Sequence, residues 1–125
     1  MFEFSKEIKP IIVDDHILIL HPTNNGITKI GFPNEERMSW MDAIYGQKYG
    51  WKLPTIEELE FVYQIYVSLK NNGKLDCNFI DPFWSLTTAS LCDKNATALD
   101  FNSGKRIVTD KNYPFEVIYV YHEKV

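Results

Sequence analysis

From Ile56 to about Lys70, apolar residues return every three or four positions. Leu59, Val62, Tyr63, Tyr66 and Leu69 line up, with polar residues between them. That period is helical and predicts an amphipathic helix laying one stripe on a core. Its start is specified by side-chain chemistry. Thr55 offers an N-cap hydroxyl, and Glu58, three residues on, can reach back to the Thr55 amide in a capping box. Glu57 and Glu58 also set negative charge against the positive end of the helix dipole, and Asn71-Asn72-Gly73 is a fitting stop. A shorter helix is predicted from Ser39, which caps with Asp42 at the third helical position. Trp40, Ala43, Ile44 and Gln47 follow at helical spacing, and Gly46 and Gly50 limit its length.

Elsewhere the pattern is that of strands. Ile11-Ile12-Val13 and Ile17 to Leu20 are short apolar runs separated by Asp14-Asp15-His16, a turn-prone cluster. His21 to Gly26 breaks the pattern, with Asn25-Gly26 a strong turn signal, and Ile27 to Phe32 returns as a strand. Phe83 to Thr88 is strand-prone. Ala98 to Phe101 and Lys105 to Val108 flank Asn102-Ser103-Gly104 and predict a hairpin, with glycine where the turn needs a positive φ. Phe115 to Tyr121 is a long β-rich run, expected to be central in the sheet. There are no repeats, linkers or low-complexity tracts, so 1–125 reads as a single α+β domain: N-terminal strands over 1–37 and a core over 38–121.

Composition narrows the function classes. The chain has 125 residues, enough for one domain with its own core. A 14% aromatic share points to large rings filling gaps between irregular elements. A formal net charge of −4 argues against nucleic acid as partner. No window approaches the ~20 apolar residues that span a bilayer, and Met1 to Glu7 lacks the basic start and apolar core of a signal peptide. The sequence therefore reads as cytoplasmic, with a phage particle or non-classical export as the other settings. Cys77 and Cys92 show neither metal-knuckle nor redox spacing and read as reduced, small hydrophobes.

Candidate chemistry is sparse. Glu57 and Glu58 are neighbours on a helix and point about 100° apart, so capping and solvation account for both. Trp40, Trp51 and Trp84 could stack on sugars, but buried packing is the commoner role of such rings, and Trp51 and Trp84 are expected to be buried, joining the second helix to the terminal sheet. His16, His21 and His122 lack ligand spacing, and His16 and His122 are expected to be exposed. No metal or other cofactor is expected. No nucleophile elbow, P-loop or dinucleotide fingerprint is present. Thr87-Thr88 alternates on a strand, one hydroxyl facing solvent and the other packing. The polar stretches 91–97 and 109–114 are the places for a ligand: Asp93, Lys94, Asn95, Lys111, Asn112 and Tyr113 combine charge, amides and an aromatic anchor.

Taken in order, these pieces resemble a known family. Ser39 to Ile44 is similar to the "T-W-x-x-A" helix start of the Lcl C-terminal domain family. Gly50 to Leu59 resembles its "G-W-R-L-P-T-x-x-E-L" signature. Phe83 to Thr87 resembles "Y-W-S-S-T", and Ala98 to Gly104 resembles "A-x-x-F-x-x-G". On this likeness, Trp40, Trp51, Pro54, Thr55, Glu58, Trp84, Phe101 and Gly104 are structural motif positions. The resemblance covers roughly 38–121 and implies a C-type-lectin-like fold, two helices packed on small, twisted, mostly antiparallel sheets. That fold is shared at a distance with formylglycine-generating enzymes and with the variable ligand-binding proteins of diversity-generating retroelements. One family context is the tip of a bacterial collagen-like adhesin.

The chain also departs from its relatives by resemblance. It has Val120-Tyr121-His122 where the family often ends in a Val-Arg strand. It carries neither Glu-Pro-Asn nor Gln-Pro-Asp followed by Trp-Asn-Asp, and Asp100 with Asn102 cannot supply the six or more oxygens of a calcium site. The leading reading is thus a calcium-independent, non-enzymatic module, bacterial or phage-borne, holding a glycan or protein on its loop face. A formylglycine-generating-type enzyme, or a domain derived from one, is the second reading. The third is an assembly domain of a phage or secretion particle that associates with itself or with a larger partner.

Overall fold

A computed structural model describes residues 10–13, 16–20, 26–33, 36–75, 82–88 and 93–124. Asp14-Asp15, His21, Asn25 of the turn signal, Leu91 and both cysteines lie outside the described residues. The elements run β1 (Ile11–Ile12), β2 (His16–Leu20), β3 (Gly26–Gly31), α1 (Trp40–Tyr45), α2 (Ile56–Asn71), β4 (Phe83–Trp84), β5 (Asn95–Asp100), β6 (Lys105–Asp110) and β7 (Val120–Lys124). One sheet has the order β1-β2-β3-β7 and the other β4-β5-β6, all pairs antiparallel. The class is α+β, as its pattern predicts. No helix of the described residues is long and apolar enough to cross a membrane.

Helix α2 starts where the capping pattern puts it. The Thr55 hydroxyl accepts from the Glu58 amide at 3.2 Å, and the Glu58 carboxylate accepts from the Thr55 amide at 3.0 Å. A third free donor at this end, the Ile56 amide, is taken by the Thr87 hydroxyl at 2.8 Å. The buried face is wider than the five-residue stripe. Phe61 and Ile65 join Ile56, Leu59, Val62, Tyr66 and Leu69, while Tyr63 is only partly covered. Against this face pack Ile17, Ile19, Ile30, Ile118 and Val120 from the first sheet side, and Phe83, Leu99 and Phe101 from the second. One helix therefore seals both sheets.

A second core gathers Trp40, Ala43, Leu53, Trp84, Ala96, Ala98, Phe115 and Val117. Two indoles lock it. The Trp40 ring N–H donates to the Ser85 carbonyl at 2.8 Å, and that of Trp84 to the Met38 carbonyl at 3.0 Å. Trp84 is fully buried as expected, but its cluster contains α1 residues and none from α2. Trp51 differs more. It is only half-buried, held edge-on to His16 and tilted against Tyr121.

Two strand expectations are also corrected. Phe83 to Thr88 yields a strand of two residues, because Ser85, Thr87 and Thr88 spend their hydroxyls on β5 carbonyls and the α2 cap instead of alternating on a sheet. Phe115 to Tyr121 is not a central strand. It passes between the sheets through bridges of Phe115 to Met38, Glu116 to Phe83 and Val120 to Lys52, and becomes β7 at the sheet edge only from Val120. The hairpin stands as predicted, extended to 95–110, with Gly104 at φ +73°. A Cβ there would lie 2.9 Å from the Tyr63 ring, so the turn needs glycine for space as well as for conformation.

Candidate functional site

The fold brings the two polar stretches together. Asn95 pairs with Asp110 at the open end of the β5–β6 hairpin, and the Lys111 amide donates to the Lys94 carbonyl at 2.8 Å. Much of their polarity is used locally. Asp93 and Asp110 accept the amides of Asn95 and Asn112, each two residues on, which is how such residues close turns. Lys111 is 7% exposed, with its ammonium 4.3 Å from the centre of the Trp40 ring. It is packed as a cation on an aromatic face and does not stand on the surface where a ligand's acid group would meet it. Lys94, Asn112 and Tyr113 remain outward, with Tyr113 leaning on Phe115 at 5.3 Å between ring centres.

A shallow, open concavity lies on the loop that joins the two helices. Gln47, Lys48, Tyr49, Gly50, Trp51, Lys52 and Leu86 line an open groove of about 310 Å³. Its walls follow from the chain's local chemistry. Helix α1 ends at Gly46, where any Cβ would collide with the Tyr119 hydroxyl, itself donating to the Ala43 carbonyl at 2.7 Å. The Gln47 side-chain oxygen then accepts from the Leu53 amide at 2.8 Å and closes the 47–53 loop. Inside it, the Trp51 amide donates to the Lys48 carbonyl at 3.0 Å. Both central residues of that turn have positive φ, Tyr49 at 55° and Gly50 at 86°, the signature of a type I′ turn. Gly50 presses on Tyr121, whose ring would sit 2.7 Å from a Cβ. Lys52 is tied to Val120 through two backbone hydrogen bonds of 2.8 Å, and Leu86 is brought in by the hydrogen bond its amide donates to the Pro54 carbonyl.

Tyr49 stands out on this rim. A bulky residue at positive φ is a real outlier, and such strain persists where surrounding structure enforces it, often at working sites. Its side chain is not buried in compensation, for Tyr49 is 93% exposed. Tyr45 and Leu86 are exposed as well. Sequence patterning passed over this position because Gly46 and Gly50 read simply as helix terminators. The signal that was present is a tyrosine placed directly before a glycine inside a turn.

One further constellation has the chemistry of a catalytic relay. His122 contacts the Thr28 hydroxyl through Nδ1 at 2.9 Å and the Glu58 carboxylate through Nε2 at 2.5 Å. His122 is exposed as expected, yet both ring nitrogens are engaged. Thr28 is 3% exposed, so no substrate carbonyl can approach its hydroxyl. The row of groups joins β3, β7 and the start of α2 and serves the fold. Burial pushes the Glu58 carboxyl upward, but the bonds from His122 and Thr55 outweigh it and hold its pKa below the ordinary value. His16, expected in a turn, opens β2 and is half-buried against Trp51. Glu57 is exposed while Glu58 turns to the cap, so they form no acid pair.

Among the described residues, no group of three or more histidine, cysteine or acidic side chains is placed to hold a metal ion. Compared with known proteins, the chain matches no family model and no curated protein.

Proposed function

We propose that this chain is a non-enzymatic binding module on a C-type-lectin-like scaffold of the Lcl C-terminal domain kind, and that it holds a glycan in the groove lined by residues 47–52 and Leu86. The observation that carries the reading is Tyr49, held at positive φ with its ring 93% exposed on the rim of a 310 Å³ groove. Exposed aromatic rings offer large, stiff contact area at small entropic cost. The volume is at the small end of ligand sites, suited to one or two sugar units of a chain that continues into solvent. The test is a glycan array followed by titration of any hit. Tyr49→Ala should abolish binding without lowering the melting temperature, and Tyr113→Ala should leave binding intact. Loss through Tyr113 instead of Tyr49 would move the site to the open end of the β5–β6 hairpin.

A further inference from the structure

We infer that β6 is a docking edge for a second copy of this chain, the two β6 strands pairing antiparallel about a two-fold axis at Val108. The surface shares no residue with the groove. Strand β6 ends the order β4-β5-β6, and among the described residues nothing pairs with its outer side. The phase of the ladder says which groups face out. The Lys111 amide donates to the Lys94 carbonyl, so Lys105, Ile107 and Thr109 turn their backbone groups to β5. Thr97, opposite Val108, bonds to Ser85 and Thr87 on its other side, as that phase requires. Arg106, Val108 and Asp110 therefore present their amides and carbonyls outward, with the Asp110 carbonyl already accepting the Tyr113 amide. The centre of this edge is apolar and uncovered, Val108 being 69% exposed.

Charge selects both the occupant and the register. A two-fold axis normal to the sheet keeps every side chain on its own face, so an antiparallel self-pair must centre on a residue. Centred on Arg106 or Asp110, like charges meet. Centred on Ile107 or Thr109, the exposed Val108 faces an ion. Centred on Val108, valine meets valine, Ile107 meets the partner's Thr109, and Arg106 meets the partner's Asp110 on both sides of the axis. The two valines exchange a reciprocal pair of backbone bonds in that register. Both ions have capacity left. Arg106 gives two N–H donors to Glu60, at 3.1 and 2.7 Å, of the five that a guanidinium carries. Asp110 accepts the Asn112 amide with one carboxylate oxygen and keeps the other. Edge charges commonly guard a strand against pairing; opposite signs at equal spacing about Val108 make this edge complementary to itself.

The experiment follows the mass of the full chain by sedimentation equilibrium from about 10 μM to about 1 mM, where small interfaces act. The mass should rise from 14.6 kDa toward twice that value. Val108→Lys sets two ammonium groups against each other at the axis and should hold the chain monomeric. Its melting curve should not change, because the position is exposed. Arg106→Gln removes both cross-strand charge pairs and should weaken the dimer about tenfold. Val108→Cys reads the register. Residues opposed as a bonded pair lie about 5.5 Å apart at Cα, within the span of a disulfide, so mild oxidation should link two copies beyond what the unaltered chain, with its own two cysteines, yields. A mass of one chain at about 1 mM would overturn the proposal. So would a dimer indifferent to Val108→Lys. Failure of Val108→Cys to cross-link, or full affinity in Arg106→Gln, would overturn the register centred on Val108.

Discussion

Glu58 shows how much one side chain can be asked to do. One carboxylate oxygen closes the cap of α2 on the Thr55 amide, and the other receives His122 from β7. Its pKa in the fold lies below the ordinary 4.5. A carboxyl shifted down on folding adds stability above its unfolded pKa, and that contribution drains away as pH falls through the folded value. The acid limb of the stability curve below about pH 4.5 should therefore be shallower in Glu58→Gln, as urea melts across that range would read. Tyr49 leads to the opposite kind of expectation. Its ring covers almost nothing and its backbone is strained, so Tyr49→Gly should stabilise by about 1 kcal/mol in the same melts. Gly50→Ala should destabilise by more than that, since it adds a clash with Tyr121 to an unfavourable φ.

At the scale of elements, legibility followed sequence distance. Helix α2 and the 95–110 hairpin were readable because cap, stripe and turn residues sit within a few positions of what they govern. The segment from Phe115 to Tyr121 misled because β-rich composition does not say which partner a strand will find. Its partners are Met38, Lys52 and Phe83, all supplied by distant parts of the chain. The same holds for the second cap of α2. Thr87 is 31 residues from the amide it serves, and no local pattern links the two. Thr55→Ala should cost about 1 kcal/mol, and Thr87→Val a comparable amount, because it strands a helix-end donor. Trp84→Ala, which empties a fully buried site and removes one of the two hydrogen bonds accepted by the Met38 carbonyl, should cost about 3–5 kcal/mol. Chemical denaturation of the three variants checks the ranking.

Over the whole molecule, the tryptophans report the arrangement directly. Trp40 and Trp84 are sealed in one core, while Trp51 is half-buried beside the groove. Iodide should therefore quench a minor part of the emission, and Trp51→Phe should remove that quenchable part; full accessibility of all three would contradict the packing. The candidate site was less legible than the fold. The polar stretches drew attention by composition, yet Lys111 is turned inward by Trp40, and the groove arises from a strained turn whose residues look unremarkable in one dimension. The pairing of β3 with β7 has a consequence for how the protein is made. Thr28 and His122 stand 94 residues apart, and residues 115–120 are the splint between the two sheets. A nascent chain can form α2 early, but the helix has no closed sheet to settle on until the ribosome has released residues 115–124. Folding is then completed after nearly all of this sequence is synthesised, and in the interval the apolar face of α2 is a surface for chaperones to guard.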